Sequence, residues 1–448
     1  MPLSGVRVLV AGAGLAGLAA ARALEADGAE VDVVEARDRV GGRVWTIREG
    51  FADRQHAEAG ADLIESNQEA VVTLARELRL PATKILKRGF GYFGTSKRGG
   101  PSIQRIESAL GPVWHALGDR IRDYRLAEQQ WDSPIVRVMG RQSVADWLAE
   151  VRASPWAVQR VRGMRGLFLA DPEELSLLAL VDFFAEDPFE GDGHMLRLTG
   201  GNDRLATAAA AALRNPPKLG HVLRRVRHEA SGVVATVEHG SKLSEIRADY
   251  FVSALPATTL RRVAFEPALP VAQQQAIAAL KYGTATRLLL QCASRFWRSP
   301  GRPTAFGSDQ PFGAVWDGNE QQRGPKGILS FLAGGRASAE LRQLLRLGGE
   351  SALLAELRWL GTPSKVVASR TIVWEDDEWV RGGYAYFDPG FDPRWRCALS
   401  MPTGRLHFAG EHTSHRWQGY MNGALESGYR AAAEIRASEV APKEPHTT

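Results

Sequence analysis

The chain of 448 residues is 44% hydrophobic and 24% charged, the composition of a globular protein long enough for two domains with separate cores. Its net charge of +5 does not indicate a nucleic-acid partner, because the basic residues are interleaved with acids and no aromatic and basic block stands out. The two cysteines exclude a disulfide framework and a cysteine-rich metal site, and we expect no metal.

The first predicted elements are a strand, a glycine turn, a helix and a second strand. Val6–Val10 is a short β-branched run, Gly12–Leu24 is a helix rich in alanine, and Val31–Glu35 is the second strand. A βαβ opening of this kind predicts a parallel sheet and is typical of a dinucleotide-binding domain.

The remaining elements predict a second, mixed region. Residues 81–195 are predicted to be mainly helical, and residues 222–252 alternate like strands. Residues 286–386 mix strands with a helix near Ala337–Trp359. The end of the chain returns to a strand at Leu406–Ala409, followed by a helix at 422–437.

The first glycine turn fits the pattern G-x-G-x-x-G. Gly12 permits the tight turn, Gly14 lets the backbone approach a pyrophosphate, and Gly17 lets the helix pack close to the strand. The helix N-terminus then offers free N–H groups to the phosphates. Glu35 follows about 20 residues later, at the end of a strand, where it is placed to bind ribose hydroxyls. A purely structural glycine turn is the alternative interpretation.

A second glycine pair follows the acidic strand end. Gly41 and Gly42, with Arg43 beside them, can approach a second phosphate or a flavin ring. A domain that binds only NAD has no need of this second turn.

With these motifs the chain resembles the flavin amine oxidase superfamily, which includes monoamine, polyamine and L-amino-acid oxidases. The segments that extend the resemblance are Glu58–Ile64, Gly200–Leu205, Phe408–Thr413 and Trp417–Ala424. The resemblance implies an α/β fold in which a Rossmann-like FAD-binding domain has a parallel sheet that is discontinuous in sequence. It also implies an α+β substrate domain with a mixed sheet and a helical block. We expect the FAD-binding domain to comprise residues 1–80, 196–285 and 387–448, and the substrate-binding domain residues 81–195 and 286–386.

The cofactor that the resemblance implies is FAD. At the C-terminal segment, Glu411 can reach a ribityl hydroxyl, and the helix that begins near Gly419 can stabilise negative charge at the N1–O2 edge of the flavin. The backbone N–H of Met421 is the candidate donor. The residues assigned to cofactor binding are Gly12, Gly14, Leu15, Ala16, Gly17, Glu35, Ala36, Arg37, Gly41, Gly42, Arg43, Val222, Gly410, Glu411, Gly419, Tyr420 and Met421.

The resemblance also implies an aromatic cage in front of the flavin. Tyr420 matches one wall and Tyr384 the other, although a shift of one residue would replace Tyr384 by Gly383 or Tyr386. Such a cage guides an uncharged amine towards flavin N5, which accepts hydride from the carbon next to nitrogen. The imine is then hydrolysed to a carbonyl product, and O2 reoxidises the flavin to give H2O2.

Three positions depart from the family pattern. Monoamine oxidases attach their flavin to a cysteine just before the cage tyrosine, and Gly383 stands there, so we expect non-covalent FAD. Arg287 stands where many members have a lysine that holds a water at N5. Arginine stays protonated and cannot act as a base, so we expect it to contact water or the flavin edge. Leu63 stands where snake-venom L-amino-acid oxidases bind the substrate carboxylate by an arginine.

Three functions follow from these observations. The first is oxidation of a small amine that lacks an α-carboxylate, with Arg287, Tyr384 and Tyr420 as the catalytic set. The second is a flavin dehydrogenase or desaturase that acts on a C–C or other C–N bond and uses a different electron acceptor, or an amino-acid oxidase whose carboxylate clamp is Arg88 or Arg165. The third is a flavin-binding protein without turnover.

The partners and the compartment are predicted from absences in the sequence. The chain has neither a signal-peptide pattern nor an apolar run of the ~20 residues that a membrane span needs, so we expect a cytoplasmic protein without a membrane partner. A homodimer is an expectation by analogy alone. Side chains of the helical block that could line a pocket or pack in a core are Trp114, Trp131, Trp147, Phe168, Phe183 and Phe184, with Asp182, Glu186 and Asp187 as acids that could attract a cation.

Overall fold

The computed structural model describes residues 2–95, 101–185 and 194–440, so Glu186 and Asp187 lie outside the described residues. In chain order the strands are β1 (Arg7–Ala11), β2 (Glu30–Val34), β3 (Thr46–Ile47), β4 (Ala57–Glu58), β5 (Ile64–Glu65), β6 (Ala82–Ile85), β7 (Gly91–Thr95), β8 (Pro101–Arg105), β9 (Met195–Leu198), β10 (His221–Glu229), β11 (Gly232–His239), β12 (Lys242–Ala248), β13 (Tyr250–Ser253), β14 (Ala264–Glu266), β15 (Lys281–Tyr282), β16 (Ala285–Cys292), β17 (Ala305–Ser308), β18 (Ala314–Asp317), β19 (Gly327–Gly334), β20 (Val366–Val373), β21 (Ala385–Tyr386) and β22 (Leu406–Phe408). The helices are α1 (Leu15–Ala26), α2 (Glu69–Glu77), α3 (Ile106–Leu126), α4 (Pro134–Arg141), α5 (Val144–Glu150), α6 (Pro155–Arg162), α7 (Arg165–Phe168), α8 (Leu177–Ala185), α9 (Asp203–Ala211), α10 (Ala257–Leu260), α11 (Val271–Ala279), α12 (Arg336–Glu356), α13 (Trp395–Ala398) and α14 (Met421–Val440).

A parallel sheet joins strands from distant parts of the chain, in the order β2-β1-β13-β22. Val10 pairs with Val33 on one side and with Val252 on the other, and all three side chains are buried. Helix α14 packs closely on α1, since a Cβ atom placed on Gly428 would lie 2.2 Å from the Ala16 carbonyl oxygen. The prediction of a discontinuous parallel sheet is confirmed.

A seven-stranded mixed sheet forms the second region, in the order β20-β16-β19-β18-β17-β7-β8. Its pairs are antiparallel except for β17 with β7, which run parallel. Every residue of β16 is buried. Helix α12 packs on β16 and β19 and provides part of the cover that buries β16.

The prediction that residues 81–195 are mainly helical is wrong at its start. Strands β6, β7 and β8 precede the helices, and only α3 to α8, residues 106–185, form the helical block. Strand β7 forms a local hairpin with β8 and also pairs with β17, more than 200 residues away, and the second pairing is one that local periodicity cannot show.

The short helices of this block begin at serine caps. Ser133, Ser143 and Ser154 each accept a hydrogen bond from a backbone N–H three residues on. Proline follows Ser133 and Ser154 at the first helical position, where its missing N–H costs nothing. Helix α8 is apolar over most of its surface and is correspondingly buried. Over the part of the chain that the structure describes, no helix has the length and the apolar character needed to cross a bilayer.

Candidate active site

The first glycine turn connects β1 to α1. Gly12 has φ +103°, and a Cβ atom on Gly17 would lie 1.8 Å from the Gly12 carbonyl oxygen. Both positions therefore need glycine to let the helix start against the strand. Around the Cβ position of Gly14, in contrast, no atom lies within 4 Å, and Gly14 borders the main cavity.

The second glycine turn lies against the first. Gly41, with φ +96°, donates its N–H to the Ala13 carbonyl at 2.8 Å. A Cβ atom on Gly42 would lie 3.6 Å from the Gly14 Cα atom. The two turns thus form one concave backbone surface that side chains do not fill.

Glu35 braces this surface from the end of β2. Its carboxylate accepts hydrogen bonds from the N–H groups of Ala13 at 2.7 Å and Arg37 at 2.9 Å. Burial raises the pKa of Glu35, and the two N–H donors oppose the rise. The Arg37 guanidinium forms a bidentate pair with Asp377 at 2.6 and 2.8 Å, which ties this end to the loop before the cage.

The C-terminal segment closes the opposite side of the cavity. Gly410 has φ +126°, and Glu411 accepts from Arg43 Nη1 at 2.8 Å and from the Gly419 N–H at 2.8 Å. Helix α14 begins at Met421, so its N-terminus faces the cavity. Glu411 and Arg43 therefore connect the last glycine turn to the second one.

A cavity of about 1040 Å³ runs between these turns and the helical block. All the residues assigned to cofactor binding line it except Gly17, whose place is in the packing of α1. Arg287 and Tyr384 line it too. One continuous cavity therefore joins the predicted cofactor residues to the predicted catalytic ones.

The two cage tyrosines lie close together. A Cβ atom on Gly419 would lie 3.3 Å from the Tyr384 ring, so that ring is next to the residue before Tyr420. Tyr384 donates its hydroxyl to the Leu167 carbonyl in α7, whereas the Tyr420 hydroxyl has no hydrogen-bond partner among the described residues. Burial raises the pKa of both phenols, so both are neutral at physiological pH.

Arg287 lies in β16 at the wall of the cavity and is 4% exposed. It donates to the Gly60 carbonyl at 2.7 Å and to Ser330 Oγ at 3.0 Å, and its guanidinium carbon lies 4.7 Å from the centre of the Trp316 ring. Burial lowers its pKa, and Asp62 partly opposes this. Arginine remains charged even so.

Buried charges surround Arg287. Asp62 pairs with Arg197 at 2.6 Å, and both side chains are almost fully buried. Glu58 is fully buried and accepts from the Thr46 hydroxyl at 2.7 Å and the Asn202 N–H at 3.0 Å. Burial raises the pKa of Glu58 to about 8, with Asp62 as the second cause.

Three other cations lie elsewhere: Lys281, the lysine nearest to Arg287 in the chain, and the two candidate carboxylate clamps Arg88 and Arg165. Lys281 pairs with Asp388 at 2.6 Å and does not line the cavity. Arg88 donates to the Ser299 carbonyl at 2.8 Å. Arg165 is 3% exposed and donates to the carbonyls of residues 309 and 310 at 2.8 and 3.1 Å. Neither arginine lines the cavity.

The aromatic residues of the helical block divide into two groups. Phe168 and Phe183 line the cavity, as do Leu63 and Trp374, which donates to the Ala59 carbonyl at 3.0 Å. Trp131, Trp147 and Phe184 are buried in the core, and Trp114 is exposed at the surface. Asp182 lines the cavity and accepts from the Tyr124 hydroxyl at 2.5 Å.

Sequence reasoning missed several residues of the cavity wall. Trp316 carries no motif, and only the fold brings its ring beside Arg287. Glu65 lines the cavity and directly follows the segment Glu58–Ile64 that carries part of the resemblance. Its acidic side chain beside that segment was the available signal.

Comparison with known proteins agrees with this geometry. Residues 15–436 match the model of the family described as flavin containing amine oxidoreductase. The chain is 30% identical to AofH of Mycobacterium tuberculosis over 96% of this chain and 97% of that protein. Its fold is similar to cyclohexylamine oxidase from Brevibacterium oxydans, with a TM-score of 0.85, 29% identity and coverage of 97% of this chain and 99% of the other. Its fold is also similar to putrescine oxidase bound to putrescine, with a TM-score of 0.83, 25% identity and coverage of 96% of this chain and 99% of the other.

A parallel dinucleotide-type sheet that opens on one large, partly aromatic cavity is the arrangement of a flavin-dependent oxidoreductase. The chain belongs to the flavin-containing amine oxidoreductase family and is a flavin-containing amine oxidase. The family implies FAD as the cofactor. The resemblance and the fold class inferred from the sequence are thereby confirmed.

Proposed function

We propose that the protein oxidises the carbon–nitrogen bond of a small amine without an α-carboxylate, using non-covalent FAD and O2. The observation that carries this proposal is the pair Tyr384 and Tyr420 in one cavity with the glycine turns. The family membership supports the reaction class, and the cavity wall supports the substrate class.

The residues present fit FAD. The concave surface of Gly14 and Gly42 is the kind of backbone cradle that admits a pyrophosphate, because a Cβ atom at Gly14 would meet no protein atom. Glu35 would hold the ribose, Glu411 the ribityl chain, and the N-terminus of α14 the flavin edge. When bound, FAD supplies the acceptor for two electrons and a proton in the form of hydride, and O2 then takes those electrons.

Non-covalent attachment is supported by the surroundings of residue 383. A Cβ atom on Gly383 would lie 2.2 Å from Leu169 Cδ1, so Leu169 occupies the space of a side chain there. Cys292 is buried in β16, and Cys397 is exposed in α13. Neither cysteine lines the cavity, which leaves no thiol within reach of the cofactor.

The two tyrosines would bind and orient the substrate with their ring faces. Because both phenols stay protonated, they add no negative charge that would hold the amine as an ammonium ion. A neutral amine is required, since its lone pair supports the loss of hydride from the neighbouring carbon. Arg287 cannot take the ammonium proton, so its role is to hold positive charge and a hydrogen-bond donor at the cavity wall.

An amine is favoured over an amino acid by the charges of the cavity. Arg88 and Arg165 are committed to protein carbonyls, and Leu63 is apolar. The cavity wall also contains Asp182 and Glu65, which would repel a carboxylate.

A pair of substrates that differ only in the α-carboxylate tests this proposal. Purified protein is mixed in air with isopentylamine or L-leucine, with benzylamine, cyclohexylamine and putrescine as further amines, and H2O2 is measured. We expect peroxide from isopentylamine and at least tenfold less from L-leucine, because Leu63 offers the carboxylate no charged partner and Asp182 and Glu65 would repel it, which costs on the order of 1–3 kcal/mol. The reverse preference would overturn the substrate class, and flavin reduction without peroxide would assign a different acceptor.

A further inference from the structure

Glu65 directly follows the segment Glu58–Ile64 and lines the cavity. It is in β5, pairs with Met195 of β9, and lines the cavity together with Tyr420. The carboxylate is near enough to raise the pKa of the Tyr420 phenol beyond the effect of burial. Glu65 therefore stands at the edge of the amine cage, on the Tyr420 side.

Glu65 differs from the other carboxylates of the cavity in having no partner. Their partners are the N–H groups of Ala13 and Arg37 for Glu35, Arg197 and Trp316 for Asp62, Tyr124 and Arg396 for Asp182, and Arg43 and Gly419 for Glu411. Glu378 also lines the cavity but is exposed to solvent. Within the described ranges, Glu65 is the part-buried carboxylate of the cavity that forms neither a hydrogen bond nor an ion pair.

Among the residues that the structure describes, none of the charged and titratable groups on the same wall forms a hydrogen bond or an ion pair with the Glu65 carboxylate. Those groups, from the neighbouring strands, loops and helices, are Asp62, Lys87, Asp182, His194, Arg287, Tyr384, Arg416 and Tyr420. Burial alone raises the pKa of Glu65, to about 7. The side chain is thus ionised over the upper half of the physiological range and readily protonated below it.

A desolvated carboxylate and an ammonium ion form a neutral pair when one proton moves between them. In water the charged pair is favoured, because both ions are solvated; in a dry cavity the charged forms lose that solvation. The amine enters mostly as ammonium, since alkyl ammonium groups have pKa values near ~10. The proposed reaction, on which this inference rests, needs the neutral amine.

We propose that Glu65 is the catalytic residue that takes the proton from the entering ammonium ion and so delivers the neutral amine to the cage. One N–H bond of the ammonium breaks, one O–H bond forms on the Glu65 carboxylate, and no atom changes oxidation state. The proton stays on Glu65 while hydride leaves the substrate carbon.

The proposal predicts a particular pH profile. The reactive complex contains one proton shared by Glu65 and the amine, so the rate at low amine concentration rises through the pKa of Glu65 and falls through that of the amine. For the wild type we expect a plateau between about pH 7.5 and pH 9.5. In Glu65→Gln only free neutral amine can react, and its fraction grows about tenfold per pH unit up to a pKa near ~10.

The experiment is anaerobic stopped-flow reduction of the flavin by cyclohexylamine or isopentylamine, whichever reduces the wild type faster, from pH 6.5 to pH 9.5. We expect Glu65→Gln to lose the plateau and to be on the order of a hundredfold slower at pH 7.5. The shorter carboxylate in Glu65→Asp should keep the plateau. Glu69→Gln, the same change on the exposed first turn of α2, is the matched control and should follow the wild type. The visible spectrum shows that each variant holds its flavin.

A weakly basic amine supplies the second readout. Trifluoroethylamine is already neutral at pH 7.5. It should therefore reduce the flavin of Glu65→Gln as fast as it reduces the flavin of the wild type. Parallel pH profiles of the wild type and Glu65→Gln would overturn the proposal. So would a loss confined to diamines such as putrescine, because Glu65 would then bind a second ammonium group instead. A wild type that no amine reduces would remove the proposed function itself, whereas reduction with unchanged profiles would remove only the role of Glu65.

Discussion

The cavity has two ends that are built in different ways. At the cofactor end the wall is mostly backbone, with glycines such as Gly14 and Gly42 that leave space, and its carboxylates are held by N–H groups or arginine. At the substrate end the wall is made of side chains from separate elements, among them Tyr384, Arg287 and Glu65. The cofactor end pairs its buried carboxylates, Glu35 and Glu411, while the substrate end leaves the carboxylate of Glu65 unpaired.

This difference indicates which end of the cavity recognises the cofactor and which end distinguishes between substrates. A backbone surface recognises a phosphate and a ribose that all members of the class share, so it can be complete before the ligand arrives. A wall of individual side chains distinguishes one amine from another. Changes at the cofactor end should therefore affect flavin binding, and changes at the substrate end should affect rate and pH dependence.

The largest effect is expected at Gly14. A methyl group in Gly14→Ala meets no protein atom, so the chain folds, but the methyl occupies the space that the pyrophosphate needs. Crowding of this kind costs about 1–3 kcal/mol, so FAD should bind on the order of ten- to a hundredfold more weakly. Flavin retained after gel filtration and titration of the apoprotein measure the affinity.

The matched control is Gly118→Ala on the exposed face of α3, where a methyl also meets no atom within 4 Å. It should raise the free energy of unfolding by about 0.5–1 kcal/mol and leave flavin binding unchanged. Equal flavin content in the two variants would contradict the role assigned to the Gly14 surface.

The second effect concerns Glu58, whose side chain is fully buried. Its pKa is raised to about 8 when folded, against an ordinary value near 4.5, so the folded state holds a proton that the unfolded state releases. The free energy of unfolding should therefore fall between about pH 4.5 and pH 8, by up to ~1.4 kcal/mol per pH unit, and be independent of this group outside that window. Glu58→Gln mimics the protonated acid and should remove this fall.

Chemical denaturation at several pH values measures the slope, with Glu69→Gln as the control that keeps it. If Glu58→Gln and the wild type lose stability in parallel as the pH rises, Glu58 is ionised in the folded protein and the assignment of its proton is wrong.

The smallest expected effect is on the rate of flavin reduction when either cage tyrosine loses its hydroxyl. Tyr384→Phe removes a hydrogen bond to the Leu167 carbonyl, worth about 1 kcal/mol, and should slow flavin reduction about fivefold by loosening the ring. Tyr420→Phe removes a hydroxyl that has no partner among the described residues, and its reduction rate should stay within about twofold of the wild type. Anaerobic reduction by isopentylamine at one pH gives both values, and the opposite order would show that the anchor to α7 does not matter.

The glycine turns could be predicted from the sequence because their requirements are local. Gly12 and Gly17 stand at fixed spacing between a strand and a helix, and that spacing follows from the geometry of the turn. The predicted discontinuous parallel sheet is also present, because the strand at Leu406–Phe408 repeats the pattern of strand, turn and helix.

The substrate end was less predictable for the opposite reason. The pairing of β7 with β17 and the pair of Asp62 with Arg197 join residues far apart in the chain, which periodicity cannot show. Likewise, Arg165 and Arg88 were equivalent candidates for a clamp in the sequence, and only the fold shows that protein carbonyls already accept their hydrogen bonds.

The most direct test of the account is the visible spectrum of the purified protein, recorded before and after acid precipitation and again during anaerobic addition of isopentylamine. The account predicts a yellow supernatant, because FAD is not attached at Gly383, and loss of the flavin band on addition of the amine. A yellow pellet would contradict the non-covalent attachment. A flavin that no amine reduces would contradict the central claim that this cavity oxidises amines.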